Sequence, residues 1–313
     1  MLPLASKAQP AARVHRIGWL WNTSRLDPSG WPLLKTYLPA LGWIEGQNLI
    51  IEWRFSGENT ALLPALAEEL VGLKVELIVT EGTVVTLAAK KVTSTIPIVV
   101  ARSGDPVGAG LVASLARPGG NVTGTSVMSP DLDRKRFEIL HELLPGAKRV
   151  GQLVATVNPI YRMALAEGES ERLLNSLGMQ LISVEVTKAA DLESAVAEAA
   201  RRGSQVLRVG AEPFLAEHFT QIVRVAQQYS LPVMGDNSGF LENGALASYG
   251  ADLDALDRQL AFIVDKILRG TKPADLPIQQ PVKFELGINL QVAKAFGIRV
   301  PQSLLLRADR VIE

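Results

Sequence analysis

Short β-branched runs alternate with helical runs along nearly the whole chain, and this rhythm limits the available folds more than any other feature. The segment KVELIVTEGTVVTLAAKK, Lys74–Lys91, shows the unit. Val75–Thr80 reads as a buried strand, and Gly82–Thr93 as a helix with Val84, Leu87 and Ala88 on one side. The turn between them, Thr80-Glu81-Gly82-Thr83, leaves free helix N–H groups at the carboxyl end of a strand, where open α/β sheets take ligands. Arg16–Trp21, Asn48–Phe55 and Ile96–Ala101 are expected as the companion strands, with helices over Pro32–Leu41 and Leu62–Leu73. The result is a mostly parallel sheet covered by helices on both faces.

RPGGNVTGTS, Arg117–Ser126, interrupts the rhythm with turn chemistry. A helix is expected next, with Ser129 as its N-cap, Pro130 in its first turn and an end near Leu144. The alternation then restarts. Strands are expected at Arg149–Val154, Gln180–Val186, Gln205–Val209 and Leu231–Gly235, with helices at Ile160–Leu177, Asp191–Arg202 and Pro213–Tyr229. ALASYG reads as extended, Asp252–Leu268 as a helix, Val282–Ile288 as a late strand, and a short helix and tail follow. At 313 residues the chain is too long for one ordinary core. Two similar α/β lobes place two sets of strand ends opposite each other, an arrangement suited to enclosing a small molecule.

Composition removes several functions. The formal net charge is zero and no basic patch stands out, which argues against nucleic acid as a partner. No apolar run approaches the ~18 residues of a membrane helix. The absence of cysteine excludes thiol catalysis, cysteine metal sites and disulfides. His15, His141 and His218 lie far apart and form no H-E-x-x-H pair, so no metal site is expected. GTSVM fails as a G-x-S-x-G elbow. GDPVGAG lacks the Lys-Ser/Thr of a phosphate loop, and RIGWLWNTS lacks the dinucleotide glycine spacing, so no cofactor is expected. MLPLASKAQPAAR, residues 1–13, reads either as the remnant of a secretory signal or as a plain leader.

GQNLIIEWRF, TSTIPIVVARSGDPVGAGLVASLARPGGNVTGTS, DKILRGTKPADLPIQQPVKFELGINLQVAKAFGI and VPQSLLLRADRVIE resemble the ABC-transporter substrate-binding proteins related to the tryptophan/tyrosine uptake binding proteins. The resemblance runs from about Val14 to Glu313, and GDPVGAGLV…ARPGGNVTG is its most specific block. It implies a type I periplasmic-binding-protein fold: two Rossmann-like lobes with parallel sheets, three crossover hinge segments and a ligand cleft between them. On that analogy the crossovers fall near Thr123–Ser126, Ala245–Tyr249 and Pro281–Phe284. The lobes are then 14–124 with 246–281, and 125–245 with 282–313. The resemblance also implies export to the periplasm, a monomer, and delivery of ligand to an ABC permease in the membrane.

Candidate ligand-binding residues lie at strand ends. Thr83 and the N–H groups opening the Gly82 helix, beside Thr80, suit a ligand carboxylate, whereas Glu81 attracts an ammonium or simply complements the helix dipole. Trp21, Asn22 and Thr23 follow the first strand and can stack on or hydrogen-bond a ligand; the alternative is a core-edge tryptophan and a polar loop. Arg102 and Ser103 follow the fourth strand. Arg102 can hold a carboxylate in two-pronged fashion or pair with Asp105 or Glu81, and Asp105 reads as a turn cap. Glu81 and Arg102 depart from the small residues expected of the resembled family at these positions. Ser126 lies at the first crossover. In the second lobe, Asn158, Glu212, Asp236 and Asn237 follow strands; Glu212 and Asp236 are candidate partners for an ammonium or plain turn formers. Tyr249 is placed at the middle crossover, and Arg208 in an apolar strand must face water, the cleft or an acid.

These features favour a non-enzymatic solute receptor closing on an amino acid, aromatic or branched, or a related carboxylate. A ligand-sensing regulator core of the same fold needs a DNA-reading module, which the roughly 13 residues ahead of the first strand are too few to supply. An α/β enzyme of small-metabolite metabolism needs a base beside a nucleophile or metal, and the sequence offers no such set.

Overall fold

The computed structural model describes residues 13–23, 31, 33–57, 59–156, 168–210 and 212–313. The first sheet contains β1 (His15–Trp21), β2 (Leu49–Phe55), β3 (Ile78–Glu81), β4 (Ile98–Ser103) and β5 (Val122–Ser126). Its spatial order is β2-β1-β3-β4-β5, and every pairing is parallel. Strand alternation sorts its residues onto two faces. Ile17, Trp19, Val79 and Val99 pack on one side with Leu260, Ile263 and Val264 of the helix Leu253–Leu268. Leu20, Ile78 and Val100 pack on the other with Leu63 and Leu70 of the helix Leu63–Gly72, and with Val85 and Ala89 of the helix Gly82–Val92.

The second sheet holds β6 (Arg149–Ala155), β7 (Gln180–Val186), β8 (Val206–Val209), β9 (Val233–Gly235), β10 (Ala247–Ala251), β11 (Phe284–Asn289) and β12 (Arg310–Ile312). Their order is β12-β11-β10-β9-β8-β6-β7, with β10 and β11 antiparallel and the other pairs parallel. One face packs on the helices Leu192–Arg201 and Phe219–Gln228, the other on Ser129–Leu143 and Glu169–Ser176. Two α/β lobes with mostly parallel sheets follow, as the alternation predicts.

Several expectations need correction. β10 pairs with β9 and β11, so residues 247–251 belong to the second sheet and the chain returns to the first lobe after Ala251, not at 246. Likewise Thr125 and Ser126 complete the first lobe, since β5 pairs with β4 as far as Ser126. What draws the chain back is the helix Leu253–Leu268. Its Leu256, Leu260, Ile263 and Val264 are almost wholly buried, each contributing roughly 1.5–3 kcal/mol of apolar burial. The helix at Ser129 is preceded by Met128 in left-handed backbone, φ +52°, so Met128 and not Ser129 is its N-cap residue. The helix expected over Pro213–Tyr229 breaks at His218 into Pro213–Glu217 and Phe219–Gln228. The expected tail contains β12. Residues 1–12 and most of the expected helix start at 160–167 lie outside the described residues.

Candidate functional site

The carboxyl ends of β1, β3 and β4 form one wall of the site. Glu81 is the last residue of β3, in register with Ala101 of β4. Gly82 then takes φ +69° and turns strand directly into helix, a conformation that a side chain would strain. On β4 the register shifts between Val100 and Ser103, and Arg102 sits at φ +58° with its N–H donating to Thr125 Oγ1 at 2.9 Å. The irregularity re-aims the Arg102 side chain, as strand bulges beside functional sites do.

Arg102 does not stand free for a ligand carboxylate. Its Nη2 donates to Asp257 Oδ1 at 2.6 Å and Oδ2 at 2.7 Å, and its Nη1 reaches Glu81 Oε1 at 3.5 Å. The guanidinium also lies 5.4 Å from the centre of the Trp31 ring, whose Nε1 donates to Asp257 Oδ2 at 2.8 Å. Burial holds the Asp257 carboxyl above the usual carboxylate range, against the pull of the Arg102 guanidinium. Asp105 is not the partner. It accepts from the N–H groups of Val107 and Gly108, the turn cap expected of it.

Glu81 keeps one oxygen, Oε2, buried and without a hydrogen-bond partner. Across the cleft, Glu212 is 2% exposed; one of its oxygens accepts from Leu215 N–H at 3.3 Å and Oε1 has no partner. Glu212 is thus the N-cap foreseen for its short helix, yet half of its carboxylate remains unspent. Burial pushes Glu212 up to about 7, opposed by the Leu215 and Phe214 N–H groups and reinforced by the negative charge of Glu81. Burial likewise raises Glu81 to about 7, against the pull of Arg102. The lobes touch here: a methyl built on Gly82 would lie 3.5 Å from Pro213 Cγ. One carboxylate from each lobe therefore faces a closed cleft.

The other expected residues divide clearly. Trp21 and Asn22 are buried at the end of β1, and Trp21 Nε1 and Asn22 Oδ1 lack partners. Trp21 lies 4.6 Å from Trp31, centre to centre. Thr23 is buried, and its carbonyl accepts from Gly57 N–H. Thr83 Oγ1 and Ser103 Oγ contact each other at 3.2 Å. Thr80 faces away, bonded to Thr86 Oγ1 at 2.8 Å. Ser126 Oγ accepts from Met128 N–H and so fixes the first crossover. Asp236 pairs with protein cations, Arg208 Nη2 donating to its Oδ2 at 3.0 Å and Arg136 Nε lying 3.3 Å from its Oδ1, which makes no hydrogen bond. Arg208 also donates to Asp133 at 2.6 Å and to Gln152 at 3.0 Å, so its question is answered by acids within its own lobe. Asn237 Oδ1 accepts from Gly239 N–H, a turn bond. Tyr249 stacks against Phe284 and packs on the second-lobe core. Asn158 lies outside the described residues. Sequence reasoning missed Asp257 and Trp31. Asp257 was detectable as one of two acids, with Asp265, on the mostly apolar inner stripe of Leu253–Leu268.

A family described as ABC transporter substrate binding protein matches residues 34–312. The chain belongs to that family. This receptor is 26% identical over 269 residues to the Tyrosine-binding protein of Clostridioides difficile, covering 85% of this chain and 76% of that one. A conserved domain protein from Vibrio cholerae is 31% identical, with a TM-score of 0.86 over 96% of this chain and 100% of that one. An ABC domain from Streptococcus pneumonia, solved in complex with L-Trp, is 24% identical and superposes with a TM-score of 0.85 over the same shares. The receptor has the type I periplasmic-binding-protein fold expected from its sequence. Members of its family are substrate-binding proteins found outside the cytoplasmic membrane.

Proposed function

We propose that the receptor is a non-enzymatic, monomeric solute carrier of an ABC importer, working in the periplasm and handing its ligand to a membrane permease. Its lobes close over a small metabolite bearing an amino group, with amino acids as the reference class. The observation that carries this reading is the pair of buried, unpartnered oxygens, Glu81 Oε2 and Glu212 Oε1, one from each lobe. A buried acceptor without a partner costs about 1–3 kcal/mol, a cost that a ligand ammonium spanning the cleft removes. Trp21 and Trp31 supply an aromatic wall beside it. The tyrosine-binding relative and the L-Trp complex support an amino-acid-like ligand. Asp236 and Asn237 have a structural place in this reading, since ion pairs and a turn occupy them.

A thermal-shift screen of amino acids and amines tests it. A ligand at a hundred times its Kd stabilises the closed form by about 2.7 kcal/mol and raises Tm. Chemical turnover of a bound solute, or a flat response to every small solute offered, refutes the reading.

A further inference from the structure

The charges lining the cleft do not cancel. In the second lobe, Asp133 and Asp236 are matched by Arg136 and Arg208, two acids to two bases. Among the described residues around the facing strand ends, Glu81, Asp257 and Glu212 meet a single cation, Arg102. Arg102 divides itself between Asp257, through Nη2, and Glu81, through one long contact of Nη1, and its Nε has no acceptor. What is left is a poor seat for a carboxylate, because the charge behind it is already balanced by Asp257 and Glu81. Among the described residues the other positive feature here is the N-terminus of Gly82–Val92, worth about half a unit charge. Two uncompensated carboxylates outweigh it. Among the described residues at these strand ends, three buried acceptors lack a partner, Asn22 Oδ1, Glu81 Oε2 and Glu212 Oε1, against two donors, Trp21 Nε1 and Arg102 Nε. An ammonium has three donors to offer and no acceptor.

Resting on the receptor reading above, we propose that the cleft selects solutes of net positive charge: an amine whose ammonium lies between Glu81 and Glu212, with no carboxylate of its own. The Trp21–Trp31 pair, its rings tilted by 47°, is the aromatic surface that the body of such an amine would meet. The upward pull of burial on both glutamates agrees with a site whose ionised form calls for a cation.

Calorimetric titration of the full chain at pH 7.5 compares each amino acid with its decarboxylated twin: L-tyrosine with tyramine, L-tryptophan with tryptamine, L-arginine with agmatine. The expected result is at least one amine binding ten-fold or more tightly than its parent, and at least ten-fold weaker binding of that amine to Glu81→Gln and Glu212→Gln. The wild-type series decides the matter even if a variant fails to fold. A parent that binds as tightly as its amine, or tighter, overturns the charge selection and leaves the receptor reading standing. So does binding of a sugar or a carboxylic acid such as indole-3-propionate while every amine is ignored. Silence toward all of these solutes overturns both.

Discussion

Raising the pH should push the two lobes apart, and Glu212→Gln should blunt that response. In the closed structure Glu81 and Glu212 both hold their protons up to about 7, against an ordinary value of 4.5. Opening or unfolding returns them to water. Between pH 4.5 and 7 the closed form therefore binds more protons than the open or unfolded form, so closure is favoured at low pH and weakens as pH rises. Above about pH 8 the loss is complete and the curve flattens. A displacement from 4.5 to about 7 corresponds to about 3 kcal/mol per carboxylate, or about 300-fold in the closing equilibrium. The groups facing the pair are Arg102 and Asp257 from the first lobe and the N–H groups of Leu215 and Phe214 from the second. Of these, only the carboxyl of Asp257 is a further acid, and Arg102 holds it.

The assay is small-angle scattering and thermal unfolding of the protein without added solute, at pH 5 and pH 8. The radius of gyration should rise with pH and Tm should fall. Glu212→Gln removes one of the two charges and should lose about half of each change, with its largest Tm advantage at pH 8. At about 2–4 °C per kcal/mol for chains approaching this size, one fully expressed carboxylate corresponds to roughly 6–12 °C, less whatever lobe opening relieves. Parallel Tm curves for wild type and Glu212→Gln from pH 5 to pH 8, with an unchanged radius, would refute the placement of Glu212 in a desolvated cleft.

Arg102→Ala strands Asp257 in the interior and should cost about 3–5 kcal/mol in urea unfolding; adding Asp257→Asn should restore much of it, and a merely additive double variant would contradict the pairing. Asp236→Asn should cost stability through loss of its contacts with Arg136 and Arg208 while leaving ligand affinity within about three-fold; selective loss of affinity would return Asp236 to the ligand. Gly82→Ala should lose about 1 kcal/mol or more of stability, because its φ of +69° disfavours a side chain even though the space beside Pro213 accepts a methyl.

What the chain reveals before folding follows the range of the interactions. Strand and helix identity are set locally by period and turn residues, so the ten expected strand segments are all found; β5 escapes because the paired glycines before it and Gly124 within it read as turn chemistry, and β12 because three residues at the C-terminus carry too little pattern. The exposed carboxyl ends of β1, β3 and β4 follow from that rhythm, and Glu81 with them. Asp257 does not. Its place on the inner stripe of its helix was legible, but its partner was not, because Arg102 lies 155 positions away. Asp105 is three residues from Arg102 and an attractive partner on paper, yet Val107 and Gly108 N–H groups claim it. Asp236 misled for the same reason: its turn position was legible, but the arginines that consume it come from β8 and from the helix Ser129–Leu143.

The same distinction explains why the site's charge is harder to read than its location. Counting acids and bases at strand ends gives a mixed, roughly neutral rim that suits a zwitterion. The fold then subtracts: Arg102 goes to Asp257, and Arg136 and Arg208 go to Asp133 and Asp236. The bases are consumed first because each guanidinium presents several donors and can satisfy two carboxylates at once, whereas the glutamates at the cleft have no second base to turn to among the described residues. Glu81 and Glu212 are what remains, and the recognition chemistry of the cleft is set by that remainder.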